Sequence, residues 1–455
     1  MQEDTIIAVS TPLGYGGLGV VRLSGAKALE IARQIFKPRR GKGTISPRRS
    51  ILGYIYDYDK KEDFEEAFLV YYPAPQTYTR EDVVEISCHG SPIVLEEVVR
   101  LGIKAGARHS EPGEFTQRAY LHGRIDILQA EAINDIIHAS SLKQARISFH
   151  QLEGRLSKKL QSLRSQIINL LSRIEASLEF PDEGLKVTQQ NILKALVKVI
   201  QTVQNLIDSY NLGKTLSEGL TIALAGRTNV GKSTLFNALL DRDRSIVTPF
   251  PGTTRDYLQE RIRIKDSLFT LTDMAGLDRT SQPTEQEGIK RGKRLALEAD
   301  GVLLLLDASK KSTTEDFKLI EKFKKKNTIL LFNKSDLPLR MNIKKVEEKF
   351  RGLPALEISA LKRTNIETLK QCLFERLVPT PKKSEEVILH LRQKLVLEDI
   401  LSALKAGERL FREGYSEEIC TEEIRQAVPQ IGKLTGEIRS DEIIQEIFSR
   451  FCVGK

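Results

Sequence analysis

The chain has 455 residues, a formal net charge of +9 from 70 Lys and Arg against 61 Asp and Glu, and four cysteines. This length predicts two to four domains, and the cysteines have neither the Cys-x-x-Cys spacing of zinc sites nor the density of a disulfide scaffold. No apolar run approaches the roughly 18 residues of a membrane span and the N-terminus lacks a signal pattern, so we expect a soluble, cytoplasmic protein with no membrane partner.

Residues 1–118 have the pattern of a mixed α/β domain. Short β-rich runs alternate with Gly and Pro turns, and helical spacing occurs at Ala26–Ile35 and Pro92–Gly102. The predicted strands are Thr5–Val9, Gly19–Leu23, Ile51–Tyr56, Ala67–Tyr72 and Val83–His89. Two loops stand out, at Thr11–Gly19 and Glu111–Thr116. The glycines of the first would let backbone approach a ligand, although such stretches are usually only turns.

The pattern becomes helical after Asp126. Apolar residues three and four apart predict a long amphipathic helix over Asp126–Glu179, a second over Ile192–Ile207, and then a polar hinge at Asn211–Gly219. Helical spacing returns over Val387–Leu404 and continues with interruptions to Phe451. Neither helical part would bury its apolar stripe alone. We therefore predict one helical bundle, formed by 119–216 and 379–455, that is interrupted by an inserted nucleotide domain at 217–378.

A phosphate-binding loop opens the inserted domain. The apolar run Thr221–Ala225 leads into Gly226-Arg227-Thr228-Asn229-Val230-Gly231-Lys232-Ser233, and a helical pattern follows. A strand, a Gly-x-x-x-x-Gly-Lys-Ser turn and a helix form a cradle whose backbone N–H groups point at phosphates. In such a cradle Lys232 reaches the β and γ oxygens and the Ser233 hydroxyl binds Mg²⁺.

Further polar motifs follow predicted strands of the same domain. Downstream come Thr253-Thr254, Asp273 to Gly276, Asn333 to Asp336, and Ser359-Ala360. Parallel strands would bring them to one sheet edge, where doubly wound folds bind ligands. Asp336 can accept hydrogen bonds from both N1–H and the 2-amino group of guanine, so we expect GTP to be preferred over ATP.

The residue after Gly276 is Leu277, which cannot orient a water molecule as the glutamine of Ras-like GTPases does. Water alignment must then come from elsewhere, and Glu285 and Glu287 are the candidates. No arginine is an evident finger. The Asn229 side-chain oxygen, with carbonyls of the 248–253 loop, would suit a monovalent cation such as K⁺, and the alternative is that Asn229 only stabilises the loop.

Taken together, these motifs resemble the tRNA modification GTPases of the MnmE (TrmE) family. The resemblance covers essentially the whole length. It is carried by Asp4–Arg22, Glu81–Glu85, Pro112–Leu121, Gly252–Asp256 and the terminal Cys452-Val453-Gly454-Lys455. It implies an α+β N-terminal folate-binding and dimerisation domain similar to aminomethyltransferases, a helical bundle, and an inserted Ras-like G domain.

The resemblance also implies site residues. It places K⁺ at Asn229, Thr248, Phe250 and Thr253, Mg²⁺ at Ser233 and Thr254, and the water-orienting acid at Glu285. Tetrahydrofolate would contact Arg22, Glu85, Arg124 and Lys455. Arg124 departs from the lysine that is common there, and Met274 replaces the usual threonine. The residues expected at GTP are Asn229, Val230, Gly231, Lys232, Ser233, Thr234, Thr248, Thr253, Thr254, Asp273, Gly276, Asn333, Lys334, Asp336, Ser359 and Ala360.

The implied function is K⁺-stimulated GTP hydrolysis coupled to modification of carbon 5 of the wobble uridine of certain tRNAs. The expected assembly is a homodimer that joins an FAD-dependent partner, MnmG (GidA), in a heterotetramer. The carbon would come from 5,10-methylenetetrahydrofolate, with 5-formyltetrahydrofolate as an analogue. Cys452 is either a catalytic thiol or a small residue that closes the bundle. The alternative function is an RNA-binding regulatory or ribosome-assembly GTPase, and the basic charge is compatible with both.

Overall fold

A computed structural model describes residues 4–39, 45–179, 188–240, 259–273, 299–378, 386–438 and 441–455. The described chain divides into two compact units. One contains Met1–Ile137, Ser148–Ile200 and Asp399–Lys455, and the other contains His138–Ile147 and Gln201–Glu398. Within the described ranges, no helix combines the length and apolar composition that crossing a bilayer requires.

The first unit contains a mixed sheet, in which seven strands are found among the described residues. Their order is β3-β4-β5-β6-β2-β1-β7, and neighbouring strands are antiparallel except for β1 and β7. The strands are β1 (Ile6–Val9), β2 (Gly16–Ser24), β3 (Phe36–Pro38), β4 (Ile51–Asp57), β5 (Glu62–Tyr72), β6 (Val83–Gly90) and β7 (Arg108–His109). Helices α1 (Ala28–Ile35) and α2 (Pro92–Lys104) pack on this sheet and bury its apolar face.

Helix α3 (Glu114–Leu121) occupies part of the segment that we predicted to be a loop. Gly113 precedes it in the left-handed region, with φ of 69°, so the loop ends one residue before Glu114. The buried guanidinium of Arg118 then bonds Glu114 at 2.9 Å and Asp4 at 2.8 Å, while Arg108 bonds Glu114 at 2.7 Å. This ion-pair cluster fixes α3 to the first residues of the sheet.

The prediction of one long helix over 126–179 is wrong. The segment forms α4 (Ile127–Ile137), α5 (Leu142–Leu152) and α6 (Arg155–Glu179). Gly154 adopts φ of 78° between α5 and α6, a conformation that ends a helix. Helix α6 packs against α13 (Glu417–Arg425) and α14 (Ala427–Thr435), so helical residues from both sides of the inserted segment share one core. The last helix, α15 (Asp441–Ser449), contacts α3.

The predicted hinge at 211–219 is helical as far as Glu218, because α7 spans Gln189–Glu218. Leu212 and Leu216, one turn apart, are buried with Val387 and Leu389. The backbones meet closely here: a Cβ on Gly213 would lie 1.9 Å from the carbonyl oxygen of Ile388. Residues 387–389 belong to neither a helix nor a strand, and the helix predicted from Val387 begins later, as α12 (Leu391–Glu413).

The second unit contains a sheet of six strands among its described residues, in the order β13-β12-β11-β8-β10-β9. All neighbours are parallel except β9 and β10. The strands are β8 (Leu220–Gly226), β9 (Gln259–Ile264), β10 (Ser267–Asp273), β11 (Gly301–Asp307), β12 (Thr328–Asn333) and β13 (Ala355–Ile358). The flanking helices are α8 (Lys232–Leu240), α9 (Thr314–Phe323), α10 (Ile343–Lys349) and α11 (Ile366–Leu377).

Candidate functional site

The phosphate loop joins β8 to α8 as its sequence predicts. Gly226 has φ of 145°, and a Cβ there would lie 2.6 Å from the carbonyl oxygen of Leu305 on the neighbouring strand. Gly231 has φ of 100°, and its Cβ would lie 2.3 Å from Asn333 Nδ2. Side chains at these two positions would displace the loop from the sheet, so both glycines are needed for its path.

Lys232 lies at the start of α8 with its ammonium turned back into the loop. Its Nζ donates to the carbonyl oxygens of Gly226 at 2.8 Å and Arg227 at 2.9 Å. Ser233 and Thr234 follow in the first helical turn, on the exposed side. A helix N-terminus with a lysine ammonium beside it presents partial and full positive charge to the same point, which suits a phosphate group.

Asn333 connects the loop to the region expected to bind the base. It is buried at the end of β12, where its Nδ2 donates to the Val230 carbonyl at 2.8 Å and its Oδ1 accepts from the Ala360 amide at 2.9 Å. One side chain thus holds the phosphate loop and the segment after β13 at a fixed separation.

Asp336 is exposed beside Ser359, whose Oγ donates to Asp336 Oδ1 at 2.6 Å. This hydrogen bond lowers the pKa of the Asp336 carboxyl below its usual value. The carboxylate is therefore ionised at neutral pH and is oriented by Ser359. An oriented acceptor-only group at this place can take two N–H donors from one edge of guanine.

Lys334 has two partners at the same sheet edge. Its Nζ donates to Asp307 Oδ2 at 2.7 Å and to the Asn229 carbonyl at 2.9 Å. Asn229 has φ of 61°, so the lysine holds the carbonyl of a residue in a strained conformation. Asp307 was not among the predicted site residues, although it follows the apolar run Gly301–Leu306 in the same way that Asn333 ends β12.

Several predicted residues lie outside the described part of the chain: Thr248, Phe250, Thr253, Thr254, Gly276 and Glu285. Asp273 is the last residue of β10, and its backbone pairs with Leu224 of β8. Among the described residues, no group of three or more His, Cys, Asp or Glu could hold a metal ion. Ser233 and Asn229 are thus the described members of the expected Mg²⁺ and K⁺ ligand sets.

The residues expected at folate lie together in the first unit. Arg22 on β2 pairs with Glu85 on β6 at 2.7 Å, and these two residues are cross-strand neighbours. The guanidinium of Arg22 lies 5.5 Å from the centre of the Tyr78 ring, and that of Arg124 lies 4.7 Å from it. Burial and the charge of Arg22 lower the pKa of the Lys455 ammonium, against smaller opposing effects of Glu85 and Cys452.

The C-terminal segment is held by two hydrogen bonds and by one close approach of its backbone to the sheet. Ser10 Oγ donates to the Gly454 carbonyl at 3.0 Å, and the Gly113 amide donates to the Cys452 carbonyl at 3.3 Å. A Cβ on Gly454 would lie 2.0 Å from the Val9 carbonyl oxygen. The Cys452 thiol is exposed and unbridged, whereas Phe451 before it is buried. The segment thus presents Cys452 to solvent next to Lys455.

Comparison with known proteins gives two matching family models. The model described as the GTP-binding protein TrmE N-terminus matches residues 5–124, and the MnmE helical domain matches residues 127–452. Together they span both described units.

Curated relatives match over the whole chain. The tRNA modification GTPase MnmE of Aquifex aeolicus (strain VF5) is 38% identical over 455 residues, covering 100% of both chains. The protein of the same name from Thermoanaerobacter sp. (strain X514) is 38% identical over 460 residues, covering 100% of both chains. That from Alkaliphilus metalliredigens (strain QYMF) is 36% identical over 458 residues, covering 100% of this chain and 99% of the relative. This full-length similarity and the two matching family models show that the chain belongs to the MnmE family of tRNA modification GTPases.

Proposed function

We propose that this chain hydrolyses GTP as part of tRNA uridine modification. The observation that carries the proposal is the sheet edge at which the phosphate loop, Asn333 and the Asp336–Ser359 pair converge. A cradle for phosphates and an ionised, oriented carboxylate for the guanine edge are the two parts that selective GTP binding requires. The proposed GTP contacts are residues 229–234 of the phosphate loop together with Thr248, Thr253, Thr254, Asp273, Gly276, Asn333, Lys334, Asp336, Ser359 and Ala360.

The proposed catalytic arrangement uses potassium in place of an arginine. Asn229, Thr248, Phe250 and Thr253 would bind K⁺, Ser233 and Thr254 would bind Mg²⁺, and Glu285 would orient the attacking water. The Asn229 backbone is held at φ of 61° by the Lys334 ammonium on its carbonyl. This conformation supports the proposal, because a fixed loop would present ligand oxygens without reorganisation when charge develops in the transition state.

The proposed partner chemistry uses the N-terminal domain. We place 5,10-methylenetetrahydrofolate at Arg22, Glu85, Arg124 and Lys455, in a folate-binding and dimerisation domain at 1–118. The chain would work in the cytoplasm as a homodimer with the FAD-dependent partner MnmG, and would install an aminomethyl-type group at carbon 5 of the wobble uridine. The helical parts at 119–216 and 379–455 would connect this domain to a G domain at 217–378.

The test of the GTPase proposal compares hydrolysis in K⁺ and in Na⁺ at equal ionic strength. We expect faster turnover in K⁺, and we expect Asn229→Ala to remove the difference when GTP is supplied at a concentration that saturates the variant. Thr228→Ala, at the exposed neighbouring position, is the matched control. Equal rates of the unmodified protein in the two salts would exclude the ion from the mechanism.

The test of the tRNA proposal is mass spectrometry of wobble nucleosides from cells that lack the protein. We expect the modified uridine to disappear and to return with the intact gene. Unchanged nucleosides together with co-sedimentation of the protein with ribosomes would instead favour the alternative, a ribosome-assembly or regulatory RNA-binding GTPase.

A further inference from the structure

A cleft of about 530 Å³ opens on the first unit beside the candidate folate residues. Glu85 and Arg124 belong to both groups, so the cleft continues from that site. Its walls combine aromatic rings with arginines. The lining residues are Arg48, Tyr72, Pro75, Gln76, Thr77, Tyr78, Arg80, Val83, Glu85 and Arg124.

The arginines of this cleft bond neutral acceptors. Arg48 donates to the backbone carbonyl of Gln76 at 2.9 Å, Arg80 to that of His122 at 2.8 Å, and Arg124 to that of Tyr78 at 3.2 Å. Within the described residues, none of these guanidinium groups forms an ion pair with a carboxylate. The one carboxylate that lines the cleft, Glu85, is paired with Arg22 at 2.7 Å. The cleft therefore has an excess of positive charge.

Two of these arginines adopt an uncommon backbone conformation. Arg48 has φ of 58° and Arg80 has φ of 62°, in the left-handed region that favours glycine and asparagine. A turn alone would be satisfied better by glycine at either position. Basic residues of other turns, such as Lys61 and Arg363, also have positive φ. The conformation therefore identifies no ligand by itself, and the charge of the cleft carries the inference.

We propose that this cleft binds the oligoglutamate tail of a folate, and that the protein selects polyglutamylated over monoglutamylated folate. The inference rests on the proposed folate function. Each γ-linked glutamate adds one carboxylate, and a guanidinium can bind a planar carboxylate through two parallel hydrogen bonds. Arg124 would hold the carboxylates nearest the ring system, and Arg48 and Arg80 those further along the tail.

The test measures binding of 5-formyltetrahydrofolate to the full-length protein by titration calorimetry, as the monoglutamate and as the triglutamate. We expect the triglutamate to bind about tenfold more tightly at low salt, and the advantage to shrink as salt rises. Arg48→Gln and Arg80→Gln should each remove most of that advantage while leaving monoglutamate affinity unchanged. Unchanged monoglutamate binding also shows that each variant is folded.

Arg49→Gln is the matched control, because Arg49 is the exposed neighbour of Arg48 and does not line the cleft. It should keep the full triglutamate advantage. Equal affinity for the two folates would overturn the inference and leave the proposed folate function intact. Failure of the monoglutamate to bind would instead overturn the folate function itself. If the arginine variants lost tRNA binding while the ratio of folate affinities stayed the same, the cleft would be an RNA surface and the inference would be wrong.

Discussion

Asp307 Oδ2 lies 2.7 Å from Lys334 Nζ, and that ammonium also donates to the carbonyl of Asn229. Burial opposes ionisation of Asp307, but the hydrogen bonds from Lys334 and Ser309 outweigh it and hold the pKa of the carboxyl below its usual value. The charged pair thus connects β11 to the phosphate loop through a single lysine. It fixes both the wall of the proposed base site and the backbone of a proposed cation ligand.

We expect Asp307→Asn to weaken GDP binding about fivefold, because an amide accepts from the ammonium without the added strength of a charged acceptor. The measurement is fluorescence titration with a labelled nucleotide, together with its dissociation rate. Lys310→Ala is the control, since Lys310 Nζ lies 3.8 Å from Asp307 with its side chain 71% exposed. Asp307 has no positioning role if both variants bind GDP like the unchanged protein.

Asp336→Asn should change which base is preferred. The amide presents a donor where the carboxylate accepts from N1–H and the 2-amino group, so GTP affinity should fall by about a hundredfold or more. Xanthosine triphosphate, whose carbon 2 carries an oxygen, should gain affinity. Competition titrations with GTP and xanthosine triphosphate measure both. A variant that keeps its preference for GTP would contradict our assignment of the base site.

Arg118→Met should destabilise the first unit by about 3–5 kcal/mol, because it leaves the carboxylates around Arg118 without their buried partner. The side chain of Arg118 is 8% exposed and pairs with Asp4, Glu81 and Glu114. Hydrogen exchange of β1 peptides in rising urea measures the loss in the full chain. Arg39→Met removes an ion pair whose side chains are 53% and 49% exposed, so its effect should be below about 1 kcal/mol.

The same cluster predicts a pH dependence. Burial of Asp4 and Glu114 favours their neutral forms, yet hydrogen bonds from Arg108 and Arg118 outweigh it and lower both pKa values from the ordinary 3.8 and 4.5. Their ionised forms therefore stabilise the folded state fully above about pH 5, and this contribution is lost as pH falls through the lower folded-state values. Arg118→Met should show a shallower loss of stability between pH 5 and 3 in the same exchange experiment.

Gly454→Ala should release the C-terminal segment. Gly454 has φ of 89°, and its added Cβ would meet the Val9 carbonyl. The Gly113 amide, which donates to Cys452, should then exchange hydrogen at least tenfold faster, as measured on peptides spanning 110–114. Val453→Ala alters a side chain that is 43% exposed and should leave the rate unchanged. Unaltered exchange in Gly454→Ala would mean that the segment is not held at this glycine.

Local patterns were sufficient to predict which polar motifs lie at the ends of parallel strands. The phosphate loop follows β8 as expected, and Asn333 and Ser359 lie at the ends of neighbouring strands, because apolar runs followed by polar residues identify parallel strands directly. Asp307 was missed although Gly301–Leu306 gives the same signal. Its role depends on a partner 27 positions away, and single-sequence patterns do not pair residues at that distance.

The errors arose where long-range packing decided the structure. Polar residues at 211–219 favoured a hinge, but the spacing of Leu212 and Leu216 places both in one buried cluster, so α7 continues. The helix predicted over 126–179 is interrupted at Gly154, which adopts a left-handed conformation. The spacing of apolar residues alone does not predict that conformation. The arginine cleft could not be predicted because Arg48 and Arg124 meet only through the folded sheet.

The contact of Gly213 with the Ile388 carbonyl brings together the chain segment before strands β8–β13 and the chain segment after them. Ile388 also donates its amide to Ser209 Oγ at 3.2 Å. Because these two chain segments touch, the residues between them form a closed loop. The entropic cost of closing such a loop grows only slowly with its length. Insertions between these two points should therefore be tolerated, because each doubling of the loop length adds only about 0.6 kcal/mol to the cost of closing it.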